Sequence, residues 1–415
     1  MPQGARMSVS RRDFSKNVAL ASLAGLFNLK TSFAGTERPK LTIDKIEIFP
    51  VRYPMVMRFK FFEGPVSSGG RPAVIIKVTA NDGTVGWGES VPIPRWSGET
   101  IEGAVACLNN YLIPVLLGKD VFDIAEIHHT MSKEMAPDFS TSYPITKAGI
   151  DIALHDLMGK ALKKNIAELW GKTTPDELVL SWTLNPKDIG EVEGLIQKGR
   201  ERGYENFNVK ISPDTNFDLE LCKLVKKLVP NGFLWADANC GYDTTTALEM
   251  APKLKDAGVA VFEGALHPNN ISGYQKLVKQ GALPIIMDEG CVSPEDVEEF
   301  IKLKMLNGIA MKPARCGGLT SAVAQIELLK KNNLMFLGSG LTDPDISLAA
   351  SLILYGANGL NRPAALNGPQ FLGTSVLKTP FTVSAGKIRI PKGFGLGIDV
   401  DEDKVKELSA QTWKG

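Results

Sequence analysis

Five ionisable residues, Lys210, Asp237, Glu263, Asp288 and Lys312, follow one another at steps of 27, 26, 25 and 24 residues. Each step is about one strand-helix unit of a (β/α)8 barrel. Each residue also closes a short apolar run: Phe207-Asn208-Val209 before Lys210, Leu234-Trp235-Ala236 before Asp237, Val261-Phe262 before Glu263, Ile285-Ile286-Met287 before Asp288, and Ile309-Ala310-Met311 before Lys312. Short apolar runs in strand-helix alternation read as buried parallel strands. A barrel gathers the C-terminal ends of its strands around one mouth, so three carboxylates flanked by two amines face a common point. That is the arrangement a divalent metal with an acid/base on either side requires.

The chain is long enough for two or more domains, and its 44% hydrophobic and 22% charged residues are ordinary for a globular protein. A formal net charge of +1 with no extended basic block after the N-terminus gives no electrostatic case for nucleic acid or an anionic membrane surface. The ligand is expected to be a small molecule. The five cysteines are odd in number and lack CxxC spacing, which signals neither a zinc site nor a disulfide framework. Cys240, Cys291 and Cys316 lie within four residues of proposed strand ends, and are read as packing thiols near the mouth.

Residues 1–34 read as an address. Ser10-Arg11-Arg12-Asp13-Phe14-Ser15-Lys16 matches the twin-arginine export pattern, an apolar stretch runs from Val18 to Leu29, and Ser32-Phe33-Ala34 supplies small residues for cleavage. The stretch is shorter than the roughly 20 residues that span a bilayer. The expectation is therefore a periplasmic protein without an anchor in its mature form.

Residues 41–169 read as an α+β capping domain. Leu41–Val51 and Ala73–Ala80 alternate as strands do, and Asn81-Asp82-Gly83 turns the chain into Thr84–Glu89. Helical periodicity follows over Ile101–Leu117 and Ile145–Leu169, the latter presenting Ile145, Ala148, Ile152, His155, Leu157 and Leu162 along one side. The barrel is expected over 170–368, starting at Leu178–Trp182 and finishing near Ala364–Asn367. The segment 369–415, with Lys387-Ile388-Arg389-Ile390, has strand character but no place among eight barrel strands, so it is expected to return to the capping domain.

Several motifs carry a resemblance: Gly86-Trp87-Gly88-Glu89, the helix segment Ala148–Leu157, Asp237-Ala238-Asn239, Asp288-Glu289, Lys312-Pro313-Ala314-Arg315-Cys316-Gly317-Gly318, and Gly393-Phe394-Gly395-Leu396-Gly397. Together they resemble the enolase superfamily, within it the muconate lactonizing enzyme subgroup that includes dipeptide epimerases and N-acylamino acid racemases. The resemblance implies one Mg²⁺ per subunit, replaceable by Mn²⁺, held by Asp237, Glu263 and Asp288. It also implies Lys210 and Lys312 acting on opposite faces of a small carboxylate substrate. A proton α to a carboxylate is weakly acidic, so its removal demands strong stabilisation of the developing charge, which a Lewis acid supplies. A lysine serves as base when burial beside a cation lowers its pKa. The implied activity is that of an isomerase, a racemase or epimerase of an amino-acid derivative or dipeptide-like carboxylate. A dehydratase (a lyase) or a cycloisomerase is the alternative within the superfamily, and an exported binding protein that keeps only the fold is the alternative of another class.

Three departures bear on the substrate. The subgroup's Lys-x-Lys on the second barrel strand is here Asn208-Val209-Lys210; its Glu-Gln-Pro is Glu263-Gly264-Ala265; and the acids on its eighth strand are replaced by Ala365-Leu366-Asn367. A free dipeptide amine has no acid to grip it. Asn208, Asn239, Asn367 and Arg58 are the expected substrate contacts. Lys60 and Arg95 stand with Arg58 as cations of the capping loops Met55–Glu63 and Pro92–Gly98 that could reach a second anionic group. The oligomeric state is left open, a homo-oligomer being compatible with the chain.

Overall fold

The structure is a computed structural model that describes residues 38–63 and 69–414; the segment read as an export address, and residues 64–68 after the first capping loop, lie outside them. Among the described residues no helix is long and apolar enough to cross a membrane.

The capping domain begins with an antiparallel meander: β1 (Ile43–Tyr53), β2 (Arg71–Ala80) and β3 (Val85–Ser90). The central strand β2 pairs with both neighbours. Its apolar residues Val74, Ile76 and Val78 join a core with the helical run over 101–116. The helix Pro144–Ala161 crosses this sheet and is buried on every side from Ile145 to Gly159, not along one stripe. It is wedged between the sheet and the barrel helices Leu319–Lys331 and Asp345–Ala357. A helix enclosed in this way needs no polar face.

Two buried aspartates of that helix fasten its surroundings. Asp151 Oδ1 accepts from Leu319 N at 2.5 Å and Asp151 Oδ2 from Thr320 Oγ1 at 2.5 Å. A carboxylate thus caps a barrel helix that begins at Gly318, a residue with no capping side chain. Asp156 accepts from Trp87 N and Leu396 N, both at 2.8 Å, joining the glycine-rich β3 to the glycine-rich C-terminal turn.

The barrel follows. β4 (Glu177–Val179) leads into seven parallel strands, β5 (Trp182–Leu184), β6 (Phe207–Lys210), β7 (Leu234–Asp237), β8 (Val261–Glu263), β9 (Ile285–Met287), β10 (Gly308–Met311) and β11 (Met335–Gly338), hydrogen-bonded in that order from β5 to β11. Ala364 and Ala365 close the ring through parallel bridges to Leu180 and Ser339. This is the (β/α)8-type barrel with an α+β cap that the strand-end charges predict.

Two details differ from the expectation. Leu178-Val179 does not open the barrel, because Glu177 and Val179 are exposed and only Leu178 is buried. Such a half-buried run suits a surface ribbon. It pairs antiparallel with β13 (Lys387–Arg389), which also pairs with β12 (Val383–Ser384). The C-terminal segment therefore divides: its strand stays against β4, whereas Leu372 bridges Met55, Gly395 bridges Asn165, and the final helix, Glu402–Thr412, packs on the sheet of the capping domain. There Ser409 Oγ donates to Pro50 O at 2.8 Å, Arg52 N donates to Thr412 Oγ1 at 2.9 Å, and Lys77 pairs with Glu402 at 2.7 Å. The helix covers the open edge of the sheet.

Cap and barrel meet around two buried polar groups. Glu89 at the end of the β3 motif accepts from Tyr53 Oη at 2.7 Å and from Ser347 N at 3.1 Å. The Arg71 guanidinium, fully buried, donates to Val91 O (2.9 Å), Pro92 O (2.9 Å), Leu341 O (2.7 Å) and Thr342 O (3.4 Å). One side chain thereby ties the second capping loop to the loop after β11.

Burial pushes the Glu89 carboxyl up to about 8 from its ordinary 4.5, against the pull of Tyr53 and Ser347. The native state holds this proton where the unfolded chain has lost it, so Glu89 costs stability as pH rises through that window. Glu89→Gln is expected to flatten the decline in Tm between about pH 5 and pH 9. An unchanged decline would clear Glu89 of it. At the sheet-helix seam, a Cβ on Gly88 would stand 1.9 Å from Gly149 O. Gly88→Ala is expected to cost about 3 kcal/mol in urea denaturation.

Candidate active site

The barrel interior shows why the five charges converge. Trp235, Val261, Ile286, Ala310, Leu337 and Ala365 form one small enclosed cluster. Side chains two residues apart on a strand share a face. Two positions beyond these residues come Asp237, Glu263, Asp288, Lys312, Ser339 and Asn367. Each strand thus sends an apolar residue into the barrel and then a polar one into its mouth. On β6 the same step runs from Asn208 to Lys210. Cα pairing sets Lys210 against Asp237 and Asp237 against Glu263.

All three carboxylates are buried, Asp237 at 0%, Glu263 at 1% and Asp288 at 1% exposure. Lys210 pairs with Asp237 Oδ2 at one end of the row; Lys312 pairs with Asp288 Oδ2 at the other. Arg315 pairs with Asp288 Oδ1 and also donates to Cys291 O at 3.0 Å and Ala310 O at 2.8 Å. Glu263, between them, has a buried Oε1 with no hydrogen-bond partner among the described residues. Burial and the neighbouring Asp237 and Asp288 hold its carboxyl well above the ordinary range. Burial works against the Lys210 ammonium, but Asp237, Glu263 and Asp288 together outweigh it and hold that amine above its ordinary value. The lowering expected of a catalytic lysine is that beside a bound cation; the carboxylates by themselves favour the ammonium form.

Among the described residues no three acidic, histidine or cysteine side chains already stand as a convergent ligand set, since Asp237 and Asp288 are engaged by the cationic side chains. The donor chemistry nevertheless fits a hard divalent cation, with three carboxylates on adjacent strands, one of them a proton-retaining carboxyl whose orphaned Oε1 a cation would relieve.

The pocket above this row is lined by Lys210, Glu263, Lys312, Asn208, Asn239, Asn367 and Ala365 from the barrel, Ser339 to Thr342 from the loop after β11, and Phe59, Phe61, Ile93 and Trp96 from the cap. Asn239, in a left-handed conformation (φ 43°), turns back so that its N and Nδ2 donate to Asp237 at 2.8 and 3.0 Å. Asn208 accepts from Thr183 Oγ1 at 2.9 Å, and Asn367 donates to the same hydroxyl at 3.2 Å. With its oxygen so engaged, Asn208 is left to meet a ligand with its amide nitrogen, and the Asn367 oxygen is buried without a partner among the described residues.

Arg58 does not join this group. It pairs with Glu63 and donates to Asn185 O at 3.0 Å, a local neutralisation that keeps it on the rim. Arg95 likewise donates to Glu63 O at 2.6 Å. Lys60 is the loop cation that comes near the reaction centre: burial, then the charge of Lys210, lowers it to about 8. Cys291 and Cys316 are buried, and burial pushes their thiols up to about 12 and 11, consistent with packing.

Three residues with no assigned role in the sequence belong to the site, and Trp96 of the second capping loop joins them. Arg315 braces Asp288. Glu289, raised to about 7 by burial beside Asp288 and Asp237, accepts from Trp96 Nε1 at 3.2 Å and Asn239 Nδ2 at 3.4 Å. Trp96 also lies over Lys312, and Thr183 links Asn208 to Asn367. Thr183 was detectable as the inward position of β5; the others depend on tertiary contacts.

Residues 50–171 match the family model of the mandelate racemase/muconate lactonizing enzyme N-terminal domain, and residues 191–404 match the enolase C-terminal domain-like model. A chloromuconate cycloisomerase of Cupriavidus necator is 30% identical over 366 residues, spanning 87% of this chain and 96% of the relative. An N-succinyl-L-Arg/Lys racemase of Bacillus cereus is 26% identical over 379 residues, 89% of this chain and 98% of the relative. Among solved structures, a muconate lactonizing enzyme from Pseudomonas fluorescens complexed with muconolactone superposes with a TM-score of 0.81 at 24% identity, covering 89% of this chain and all of that one. The chain belongs to the enolase superfamily, in its muconate lactonizing enzyme subgroup. Enzymes of this subgroup work with a divalent metal, typically Mg²⁺.

Glu263→Gln is expected to weaken Mg²⁺ binding by more than about 100-fold in titration calorimetry, beyond the loss typical of groups that only brace a ligand. Wild-type affinity in this variant would remove Glu263 from the ligand set.

Proposed function

We propose that this protein is a Mg²⁺-dependent racemase or epimerase that moves the proton α to the carboxylate of an amino-acid derivative whose amine is capped. The observation that carries the reading is that Lys210 and Lys312 line one pocket from opposite ends of the carboxylate row. A binding protein needs no such pair. A divalent cation on Asp237, Glu263 and Asp288 supplies Lewis-acid charge that favours loss of the α-proton and disfavours a neighbouring ammonium.

The chain's own residues do the rest. One lysine, in its amine form, takes the α-proton onto Nζ as the C–H bond breaks and its electron pair stays with the substrate. The other, as an ammonium, returns a proton to the opposite face, and the two exchange roles for the reverse direction. The Asn208 amide nitrogen and the Asn367 oxygen offer neutral hydrogen bonds to the substrate body. Phe59, Phe61, Ile93 and Trp96 exclude water and form an apolar wall. Ala365 and Asn367 place no acid against a substrate ammonium, which supports an N-acyl group over a free amine.

The cycloisomerase named among the relatives supports a second reading, in which an internal nucleophile of an unsaturated carboxylate adds to its C=C bond to close a ring, the π electron pair moves to the α-carbon, and one lysine ammonium protonates that carbon. Mature protein incubated with Mg²⁺ and a panel of N-acyl amino acids and dipeptides in D2O tests the racemase reading. The expected result is one deuterium at the α-carbon with inversion and no loss of mass. Lys210→Ala and Lys312→Ala should each slow this exchange by about 10²–10⁴-fold. Elimination of water would instead indicate a dehydratase, and absence of exchange with every substrate would overturn the acid/base roles of both lysines.

A further inference from the structure

The two lysines are not treated alike by the cap. Trp96, on the short turn Pro94–Ser97, sets its ring centroid 4.7 Å from Lys312 Nζ. Its Nε1 donates to Glu289 Oε1 at 3.2 Å, and Glu289 is the neighbour of the Asp288 that pairs with Lys312. Among the described residues no aromatic ring covers Lys210 in this way. The turn itself is pinned, with Trp96 N and Ser97 N donating to Ile93 O at 3.0 and 2.8 Å, and the Val91 and Pro92 carbonyls just before it held by Arg71. A rigid support behind an aromatic face suits a device that fixes a cation's position.

We propose that Trp96 is a positioning residue for Lys312 alone. Its indole face sets where the ammonium stands on one side of the pocket, and its N–H fixes the Glu289 carboxyl beside it. Proton transfer on the Lys312 side then depends on the second capping loop being seated, while transfer on the Lys210 side does not. The inference rests on the two-lysine reading above and assigns a different dependence to each face.

Trp96→Phe keeps an aromatic face and loses the N–H; Trp96→Leu loses both, and Trp96→Met offers a second variant without a ring should the leucine variant fold poorly. Acylation by a water-soluble N-hydroxysuccinimide ester, followed by peptide mass spectrometry, reports the cover on each lysine without any turnover. Labelling of Lys312 should rise at least about fivefold in Trp96→Leu, with Lys210 unchanged and Trp96→Phe close to wild type. In D2O, α-deuterium exchange of the separated enantiomers should slow about tenfold more for one enantiomer than for the other in Trp96→Leu. Equal gains in labelling at both lysines, or equal slowing of both enantiomers, would overturn the proposal and leave Trp96 as part of the wall. If the wild-type protein exchanges no substrate, the functional reading falls, and the labelling pattern alone decides the placement of Trp96.

Discussion

Charge neutralisation at the barrel mouth is the constraint on which the rest depends. Asp237, Glu263 and Asp288 are taken out of water at one barrel mouth, with the half-buried Glu289 beside them, and isolated carboxylates there would be very costly. Lys210, Lys312 and Arg315 meet two of them directly. The remaining two, Glu263 and Glu289, are held above the ordinary carboxylate range. The mouth is thus a buried store of negative charge balanced by ion-paired amines on either flank, with an unsatisfied centre that suits a cation. The two lysines are part of this balance before they are part of any reaction.

The cap completes the balance from the other side. Arg71 spends its donors on backbone carbonyls of two loops from different domains, and Phe62 lies against its guanidinium at 5.3 Å. Through that one buried cation the walls bearing Phe61, Trp96 and Leu341 are set relative to one another. The apolar face of the pocket therefore inherits its shape from a residue that does not line it.

Much of this was legible in the chain because strand ends in a barrel repeat with chain length, and because the period of two puts each charge on the same face as an interior apolar residue. Asn239 was legible through the motif it shares with the family, and Asn208 and Asn367 as positions where this chain departs from the family's pattern. What escaped the sequence depended on choices made across long separations. Leu178-Val179 is an apolar run that pairs with β13, more than two hundred residues away, and nothing local distinguishes that partner from a barrel neighbour. Arg58 had Glu63 within its own turn and took it, leaving Lys60 to approach the lysine of β6. The bracing by Arg315 and the approach of Trp96 require the distance between two domains, which no spacing within one segment encodes.

The seam of Gly86, Gly88 and Gly149 has a consequence of its own. At Gly88 and Gly149 the strand and the helix stand so close that neither surface has room for a methyl group. Surfaces in such contact do not slide past one another without first separating, so the sheet and the long helix of the cap move, if at all, as one block along this line. Substrate traffic then falls to the loops at 55–63 and 91–98, which hang from the block and can be exchanged for other loops while the block keeps its shape. Selectivity in this chain is in that sense a detachable part, and a graft of those two segments should change what enters without rebuilding what reacts.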